Sequence, residues 1–93
     1  MVMYQKWVSS QFKTDLKVYT NKPVIIQALE RTINILAEWK TLPIGNKDHW
    51  LKGEFTWVRE CHVFPDVLLI YEIDKKRNIL HLVRVGSHSE LFW

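Results

Sequence analysis

The sequence predicts a small α+β fold: a short N-terminal strand and an antiparallel hairpin of two helices, packed on a small twisted antiparallel β-sheet. Two observations predict this class. Apolar residues recur at helical spacing through residues 10–40, and after Gly53 the spacing changes to that of strands. The three strands predicted after Gly53 follow one another with short turns, which is the pattern of an antiparallel meander.

The first half of the chain contains the predicted short strand and both helices. Residues 3–8 mix aromatic and polar side chains and predict a short strand. Ser9 and Ser10 offer an N-cap, and apolar side chains at i, i+4 and i+7 predict an amphipathic helix over 10–20. A second helix is predicted over 23–40, because a proline is tolerated in its first turn and the next proline follows its end. The short connection makes the two helices an antiparallel hairpin.

The second half is predicted to hold a loop, three strands and a tail. The first strand alternates between apolar and polar residues, whereas the second is nearly all apolar and is predicted to be central, buried on both faces. With no internal repeat and no linker, we expect residues 1–93 to form a single domain. The predicted ranges are 45–53 for the loop, 54–63, 67–73 and 79–85 for the strands, 74–78 for the second turn and 87–93 for a short tail or helical turn.

Composition excludes several classes of protein. With 47% apolar residues in a chain of 93, too much apolar surface seeks burial for intrinsic disorder. The lone Cys61 excludes an internal disulfide and a cysteine-only metal cage. The longest apolar run, residues 67–71, is far shorter than the roughly 20 residues of a membrane-spanning helix. The N-terminus shows no signal-peptide pattern, and we therefore expect a soluble, cytoplasmic protein.

Charge and histidine are distributed unevenly. Residues 1–46 carry six Lys/Arg and three Asp/Glu, which accounts for the net charge of +3, while residues 47–93 carry seven of each. All four histidines lie in the second half. Because histidine is the side chain whose ordinary pKa suits proton transfer near neutral pH, we expect the chemistry in that half.

Four polar residues of the second half are predicted to meet at one edge of the sheet. His62 and Asp66 flank the first hairpin turn, Arg84 closes the last strand and His88 follows it closely. In a meander, the end of the first strand, the start of the second and the end of the third lie at the same edge. His49, in the loop before the meander, is a further candidate.

Such a set suits RNA cleavage by internal transesterification. The ribose 2′-OH must lose a proton, the phosphorane gains negative charge and the 5′-oxygen must be protonated. A base, an acid and a cation meet these needs without a metal. The spacing of the candidates matches no metal-ligand pattern, so we expect neither a metal nor another cofactor.

Each candidate also has a structural interpretation. A single histidine is more often structural or solvated than catalytic, and His81, in mid-strand, is assigned a structural role. Arg84 interrupts an apolar strand, and a salt bridge with Glu60 or Glu72 would explain it equally well. Asp66 follows a proline and fits simple turn chemistry.

Residues 47–92 resemble the C-terminal half of the YafQ branch of the RelE/ParE toxin superfamily. Four short pieces match in order at compatible spacing, whereas the first half of the chain matches only in architecture. The matching pieces are K-D-H-x-L-x-G around His49, R-E-C-H-V-x-P-D around His62 and Asp66, L-L-I-Y, and R-x-G-S-H-S-E-L-F at the end.

The resemblance implies a bacterial type II toxin that acts as an mRNA interferase: an endoribonuclease that cuts mRNA, in most members at the ribosomal A site. It implies a RelE-like fold, similar to microbial ribonucleases. It also implies a cognate antitoxin that neutralises the toxin in a heterotetramer or larger complex. Operator DNA would be contacted only through that antitoxin.

The resemblance also implies roles for individual residues. His88 is the expected general acid and Arg84 the contact to the scissile phosphate, whereas either Asp66 or His62 would act as the base. Further residues are expected to help transfer protons or hold RNA, and these are His49 for proton transfer and Phe92, Lys47 and Lys52 for RNA.

One position departs from the family pattern. Val67 follows Asp66 where some relatives have tryptophan, so the base and codon preference of those relatives does not carry over; Trp50 and Trp57 are the candidates for a substitute aromatic. Two alternatives to RNA cleavage remain: a relative with a degenerate site that only binds its antitoxin and the operator complex, and a ParE-like inhibitor of gyrase. The clustered histidines favour cleavage, because a binding module needs no general acid.

Overall fold

The computed structural model describes residues 3–40, 42, 46, 49–50 and 58–92, with only the backbone at His49, Trp50 and Phe92. Its elements form a helical layer and a sheet. In chain order they are β1 (Gln5–Val8), α1 (Ser10–Leu16), a 3₁₀ turn (Lys17–Tyr19), α2 (Pro23–Ala37), β2 (His49–Trp50), β3 (Arg59–Phe64), β4 (Val67–Asp74), β5 (Ile79–Gly86) and α3 (His88–Phe92). Among these helices, none is long and apolar enough to cross a membrane.

The five strands form one sheet in the order β1-β5-β4-β3-β2. The predicted meander is present, since β3, β4 and β5 pair antiparallel in sequence order. The predicted α+β class is confirmed, with one difference: the sheet is mixed, because β1 pairs with β5 in parallel. Because β1 and β5 are far apart in the chain and no hairpin turn joins them, they can pair in parallel.

Both helices are shorter than the sequence predicts. The first ends at Leu16 and continues as a 3₁₀ turn. The second ends at Ala37 because the chain turns through Trp39, whose φ is 65°. The Trp39 N–H donates to the Leu36 carbonyl and the Lys40 N–H to the Ile35 carbonyl, which is the Schellman arrangement that closes a helix.

The predicted loop over 45–53 is wrong at two residues. His49 and Trp50 form β2, whose backbone pairs antiparallel with Glu60 and Arg59 on the outer side of β3. A strand side that would otherwise present unpaired N–H and C=O groups is thereby satisfied. Residues 54–57 of the first predicted strand lie outside the described residues, and β3 itself begins at Arg59.

The core lies between the helices and one face of the sheet. Its largest fully buried side chains include Tyr71 of β4 and Leu80 of β5. From the helical side, Phe12 of α1 and Leu29 and Leu36 of α2 belong to the same cluster. The opposite face is buried at its centre too, at Leu68 and Ile70, so the ends of the strands are the candidate places for chemistry.

A β-bulge changes which face of β5 carries Arg84. Tyr71 pairs with Leu82, but Ile70 pairs with Arg84, so Val83 is the extra residue. Simple alternation would place Arg84 on the core face with Leu80 and Leu82. The bulge reverses the alternation and places Arg84 in one cross-strand row with Ile70 and Glu60.

The start of α1 covers the side of β5 that β1 leaves open. The parallel pairing ends at Val8 and Leu82. The Ser9 N–H donates to the Leu82 carbonyl, and the Ser9 hydroxyl donates to the Val83 carbonyl at 2.7 Å. The same hydroxyl accepts the Phe12 N–H, so Ser9 is the N-cap of α1, as the sequence predicts.

Candidate active site

Three predicted residues come together where β3 ends, β4 begins and β5 leads into α3. The His62 and His88 rings lie 5.9 Å apart, centroid to centroid, in an edge-on arrangement. His88 Nδ1 lies 3.9 Å from Asp66 Oδ1. The sheet register explains the meeting, because His62 pairs with Leu68, and Leu68 pairs with Gly86.

The sequence Ser-His-Ser-Glu fixes where His88 lies. The Glu90 N–H donates to the Ser87 hydroxyl at 3.2 Å, and the Ser87 N–H donates to the Glu90 carboxylate at 3.0 Å. This is a reciprocal capping box, so α3 begins at His88. Gly86 allows α3 to fold back closely, since a Cβ at that position would lie 3.3 Å from Leu91 Cδ2.

Asp66 occupies an unusual backbone position. Pro65 and Asp66 connect β3 to β4, and Asp66 has a φ of 55°. Aspartate tolerates this left-handed region better than most residues. The turn directs the carboxylate to α3, where Oδ1 accepts the His88 N–H at 3.4 Å. Asp66 therefore serves both as a turn residue and as the partner of His88.

A buried carboxylate stands beside His62. Glu60 Oε1 lies 3.8 Å from His62 Nε2, and only 6% of the Glu60 side chain is exposed, against 29% for His62. The two residues are i and i+2 on β3 and so share a face of the sheet. Sequence reasoning named Glu60 only as a possible partner of Arg84, although the alternation in Arg-Glu-Cys-His was sufficient to place it with His62.

Arg84 is ion-paired, but neither Glu60 nor Glu72 is its partner. Its Nε and Nη2 donate to the two oxygens of Asp15 in α1, at 3.0 and 2.9 Å. The predicted salt-bridge partners were therefore wrong. The reason is that α1 packs along β5. It brings the carboxylate of Asp15, which is 69 residues from Arg84 in the sequence, next to this strand.

The Asp15 carboxylate also accepts two other donors. The Val85 N–H reaches Oδ2 at 3.2 Å, and the Gln11 amide reaches Oδ1 at 3.0 Å. Burial alone would raise the pKa of Asp15, but the hydrogen bonds from Arg84, Gln11 and Val85 outweigh it, and the pKa lies below its usual value. The hydrogen bond to Asp15 in turn raises the pKa of Arg84.

Tyr19 marks the helical side of this region. Its side chain is buried. Burial, followed by the negative charges of Glu90, Asp66 and Asp15, raises the pKa of its phenol. The end of the 3₁₀ turn, the β3–β4 turn and α3 therefore lie within electrostatic range of one another. Neither Tyr19 nor Glu90 was singled out as a site residue from the sequence.

The other predicted site residues are placed only in part. Lys47 and Lys52 lie outside the described residues, and only the backbone of Phe92, the last residue of α3, is described. The backbone of His49 pairs with Glu60, two residues before His62 on β3. Val67 is buried in the core cluster.

His81 stands apart from the cluster in sheet position. It pairs with Glu72 on β4 and with Trp7 on β1, five residues before Gly86 along the strand. Within the described residues, no group of three or more His, Cys, Asp or Glu side chains has a geometry that could hold a metal ion.

The site offers groups for proton transfer and for binding negative charge. Two imidazoles and a carboxylate are groups that can donate or accept a proton in acid–base catalysis, and a guanidinium lies at the same end of β5. The architecture, a helix hairpin on a small sheet, is that of the RelE-like class of α+β folds.

Comparison with known proteins identifies the family within that class. Residues 4–93 match the YafQ family, described as a bacterial toxin of a type II toxin-antitoxin system, and the chain belongs to this family. The mRNA interferase toxin YafQ of Escherichia coli strain K12 is 34% identical over 86 residues, covering 90% of both chains. The putative toxin YafQ of Haemophilus influenzae is 32% identical over 79 residues, covering 83% of this chain and 78% of that one.

Solved structures of similar proteins share the whole fold. A metal-bound toxin from Helicobacter pylori has a TM-score of 0.88 and 43% identity, and the match covers 97% of this chain and 100% of that one. The E. coli DinJ–YafQ toxin-antitoxin complex has a TM-score of 0.85 and 30% identity, and the match covers 99% and 100%. The resemblance that the sequence motifs indicated is therefore confirmed across the chain.

Proposed function

We propose that this protein is an mRNA interferase, an endoribonuclease that cleaves mRNA at the ribosomal A site and is neutralised by a cognate antitoxin. The observation that carries the proposal is the meeting of His62, Asp66 and His88 at one end of the sheet. Support also comes from the relative of 34% identity, which is named an mRNA interferase toxin. The cleavage would be an acid–base transesterification that uses no metal.

The contacts suggest how the proton-transfer roles divide. The His88 side chain is 58% exposed and held near Asp66, so it can reach a substrate and protonate the leaving 5′-oxygen. His62 lies against the buried carboxylate of Glu60, which would stabilise the imidazolium that forms when His62 takes the 2′-OH proton. We therefore propose His62 as the base and Asp66 as the residue that orients His88. Proton transfer of this kind is worth roughly 10²–10⁴-fold in rate.

Positive charge and RNA contacts complete the proposed site. Arg84 would stabilise the charge that develops on the phosphorane, since a planar guanidinium matches phosphate geometry. His49 would assist proton transfer from β2. Phe92, the last residue of α3, and Lys47 and Lys52, which lie outside the described residues, remain proposed RNA contacts.

The proposed partners follow from the family and the substrate. A cognate antitoxin is supported by the DinJ–YafQ complex of E. coli. We propose a heterotetramer or larger assembly that reaches operator DNA only through the antitoxin. Because translating ribosomes carry the proposed substrate, the cytoplasm is the proposed site of action.

Primer extension on mRNA in a purified translation system tests the proposal. The protein should produce discrete mRNA ends when ribosomes are present, leave naked mRNA intact, and lose activity when the antitoxin is added. A chelator of transition metals that spares Mg²⁺ should change nothing. Intact mRNA in the complete system would overturn the proposal. Cleavage of naked mRNA at the same rate would show that the ribosome is not required.

Two histidine variants assign the cleavage to this site. His88→Gln should lower the cleavage rate by roughly 10²-fold or more, because it removes a general acid. His81→Gln is the matched control, since His81 lies on β5 at a position paired with Glu72 and away from Gly86. Equal activity of His88→Gln and the wild type would remove His88 from the mechanism.

A further inference from the structure

We propose that Asp15 of α1 is a positioning residue, which holds the Arg84 guanidinium beside α3 so that Arg84 meets the scissile phosphate from a fixed place. The inference rests on the proposed function and adds to it a residue from the first half of the chain. That half carries none of the motifs that indicated the family.

The contacts between the two residues fix the guanidinium in plane and direction. The two oxygens of Asp15 accept from Nε and Nη2 of Arg84 at 3.0 and 2.9 Å, which is a bidentate pair. Such a fork restricts the guanidinium far more than a single contact does. The Asp15 side chain is 9% exposed and held in turn by Gln11 and Val85. Arg84 keeps 34% of its side chain exposed, so it can still receive a phosphate.

The backbone beneath Arg84 is shaped by the same helix. The bulge at Val83 moves Arg84 off the core face and into the row of Ile70 and Glu60. Ser9 holds the bulge by donating to the Val83 carbonyl, and Asp15 holds the next residue by accepting the Val85 N–H. Bulges next to active sites commonly redirect a side chain. Here the residues on both sides of Arg84 are fixed by α1, through its N-cap Ser9 and through Asp15 in its last turn.

The pair lies close to the helix that carries His88. Glu90 of α3 acts electrostatically on Arg84, and both Glu90 and Asp15 act on Tyr19. The guanidinium is held by α1 at the end of β5, four residues before His88 in the chain. From there, we expect the remaining N–H donors of Arg84 to reach a phosphate that contacts His88.

Positioning and charge predict opposite effects when Asp15 is replaced. Asp15→Asn removes a negative charge near the RNA, so electrostatics alone should tighten binding. If Asp15 positions Arg84, the same variant should lower the maximal cleavage rate, because a guanidinium that moves away from its place stabilises the transition state less well. A slower maximal rate without weaker binding is a result that general loss of structure does not produce.

A double-mutant cycle on the cleavage of ribosome-bound mRNA tests the inference. Asp15→Asn should lower the maximal rate about 10- to 100-fold. The toxin concentration that gives half of the maximal rate should stay the same or fall. Arg84→Ala should lower it roughly 10²–10³-fold. In the Arg84→Ala background, Asp15→Asn should then change the rate less than about twofold, because Asp15 acts only through Arg84. The matched control is Asp74→Asn, which removes the exposed partner of Arg77 in the β4–β5 turn and should leave the rate unchanged.

A second measurement does not depend on cleavage. The ¹⁵N relaxation of the Arg84 Nε–H group should report an ordered side chain in the wild type and in Asp74→Asn, and a mobile one in Asp15→Asn. Equal rate losses from Asp15→Asn in both backgrounds, no rate loss at all, or an Arg84 that stays ordered in Asp15→Asn would each overturn the inference. Full activity of Arg84→Ala would show that Arg84 has no role in cleavage, and this would overturn the inference as well. A wild-type protein that cleaves nothing would instead overturn the proposed function.

Discussion

The ion pair between Asp15 and Arg84 should contribute measurably to stability, apart from any role in cleavage. Asp15→Ala removes the acceptor of the Val85 N–H and leaves the guanidinium without its bidentate partner. Breaking a fully buried pair costs about 3–5 kcal/mol. Because water can reach the 34% of Arg84 that is exposed, we expect about 2 kcal/mol. For a domain of this size that lowers Tm by roughly 8–16 °C.

Thermal unfolding followed by circular dichroism measures this cost against a matched variant. Asp74→Ala breaks a more exposed carboxylate–arginine pair at the β4–β5 turn, where 35% of Asp74 and 74% of Arg77 are exposed. Such a pair is worth less than about 1 kcal/mol. If Asp15→Ala and Asp74→Ala lower Tm equally, the argument from burial fails.

The loss of stability caused by Asp15→Ala should depend on pH in one direction. The pKa of Asp15 is lowered in the folded protein, so the folded state binds its proton less readily than the unfolded state does. The stability from Asp15 is therefore present above the unfolded pKa of about 4, and it is lost as the pH falls through the folded value. The difference in unfolding free energy between the wild type and Asp15→Ala should shrink between pH 6 and pH 3. A difference that is constant over this range would refute the reasoning.

Three further predictions concern the turn, the helix cap and the core. Asp66→Gly should keep the free energy of unfolding within about 1 kcal/mol, because glycine suits the positive φ, yet it should lower cleavage at least tenfold by removing the carboxylate beside His88. Chemical denaturation and primer extension on the same preparation check both halves, and an active Asp66→Gly would remove Asp66 from the site. Ser9→Ala should cost about 1–2 kcal/mol in chemical denaturation, since one hydroxyl caps α1 and also bonds to the Val83 carbonyl. Leu80→Ala, at a fully buried position, should cost about 2–5 kcal/mol, and a loss below 1 kcal/mol would contradict its place in the core.

The meeting of His62, Asp66 and His88 could be predicted because it follows from topology alone. Consecutive antiparallel strands return to the same end every second strand, and the turn at Pro65 and Asp66 and the polar run over 74–78 marked where the strands of the meander meet. The position of His88 was also encoded locally, since Ser-His-Ser-Glu is a capping-box sequence.

The environment of Arg84 could not be predicted from the sequence. Its partner Asp15 is 69 residues away in the sequence, and the pattern of polar residues on α1 does not indicate which strand this helix packs on. The bulge at Val83 reverses the face of every residue that follows on β5, and the sequence Leu-Val-Arg-Val carries no glycine or proline to announce it. The early end of α2 was hidden for a similar reason, because tryptophan at residue 39 occupies a backbone position that glycine usually marks.

The chemistry of the cleaved ends is the most direct test of the central claim. In that claim, the cluster of histidines and a carboxylate catalyses attack by the 2′-OH of the RNA on the adjacent phosphate. The mRNA fragments produced by the wild-type protein should carry a 2′,3′-cyclic phosphate or its hydrolysis product on one side and a 5′-hydroxyl on the other. The same ends should fall roughly 10²-fold or more in abundance with His88→Gln. Fragments with a 3′-hydroxyl and a 5′-phosphate, which require water to attack the phosphate, would contradict the account.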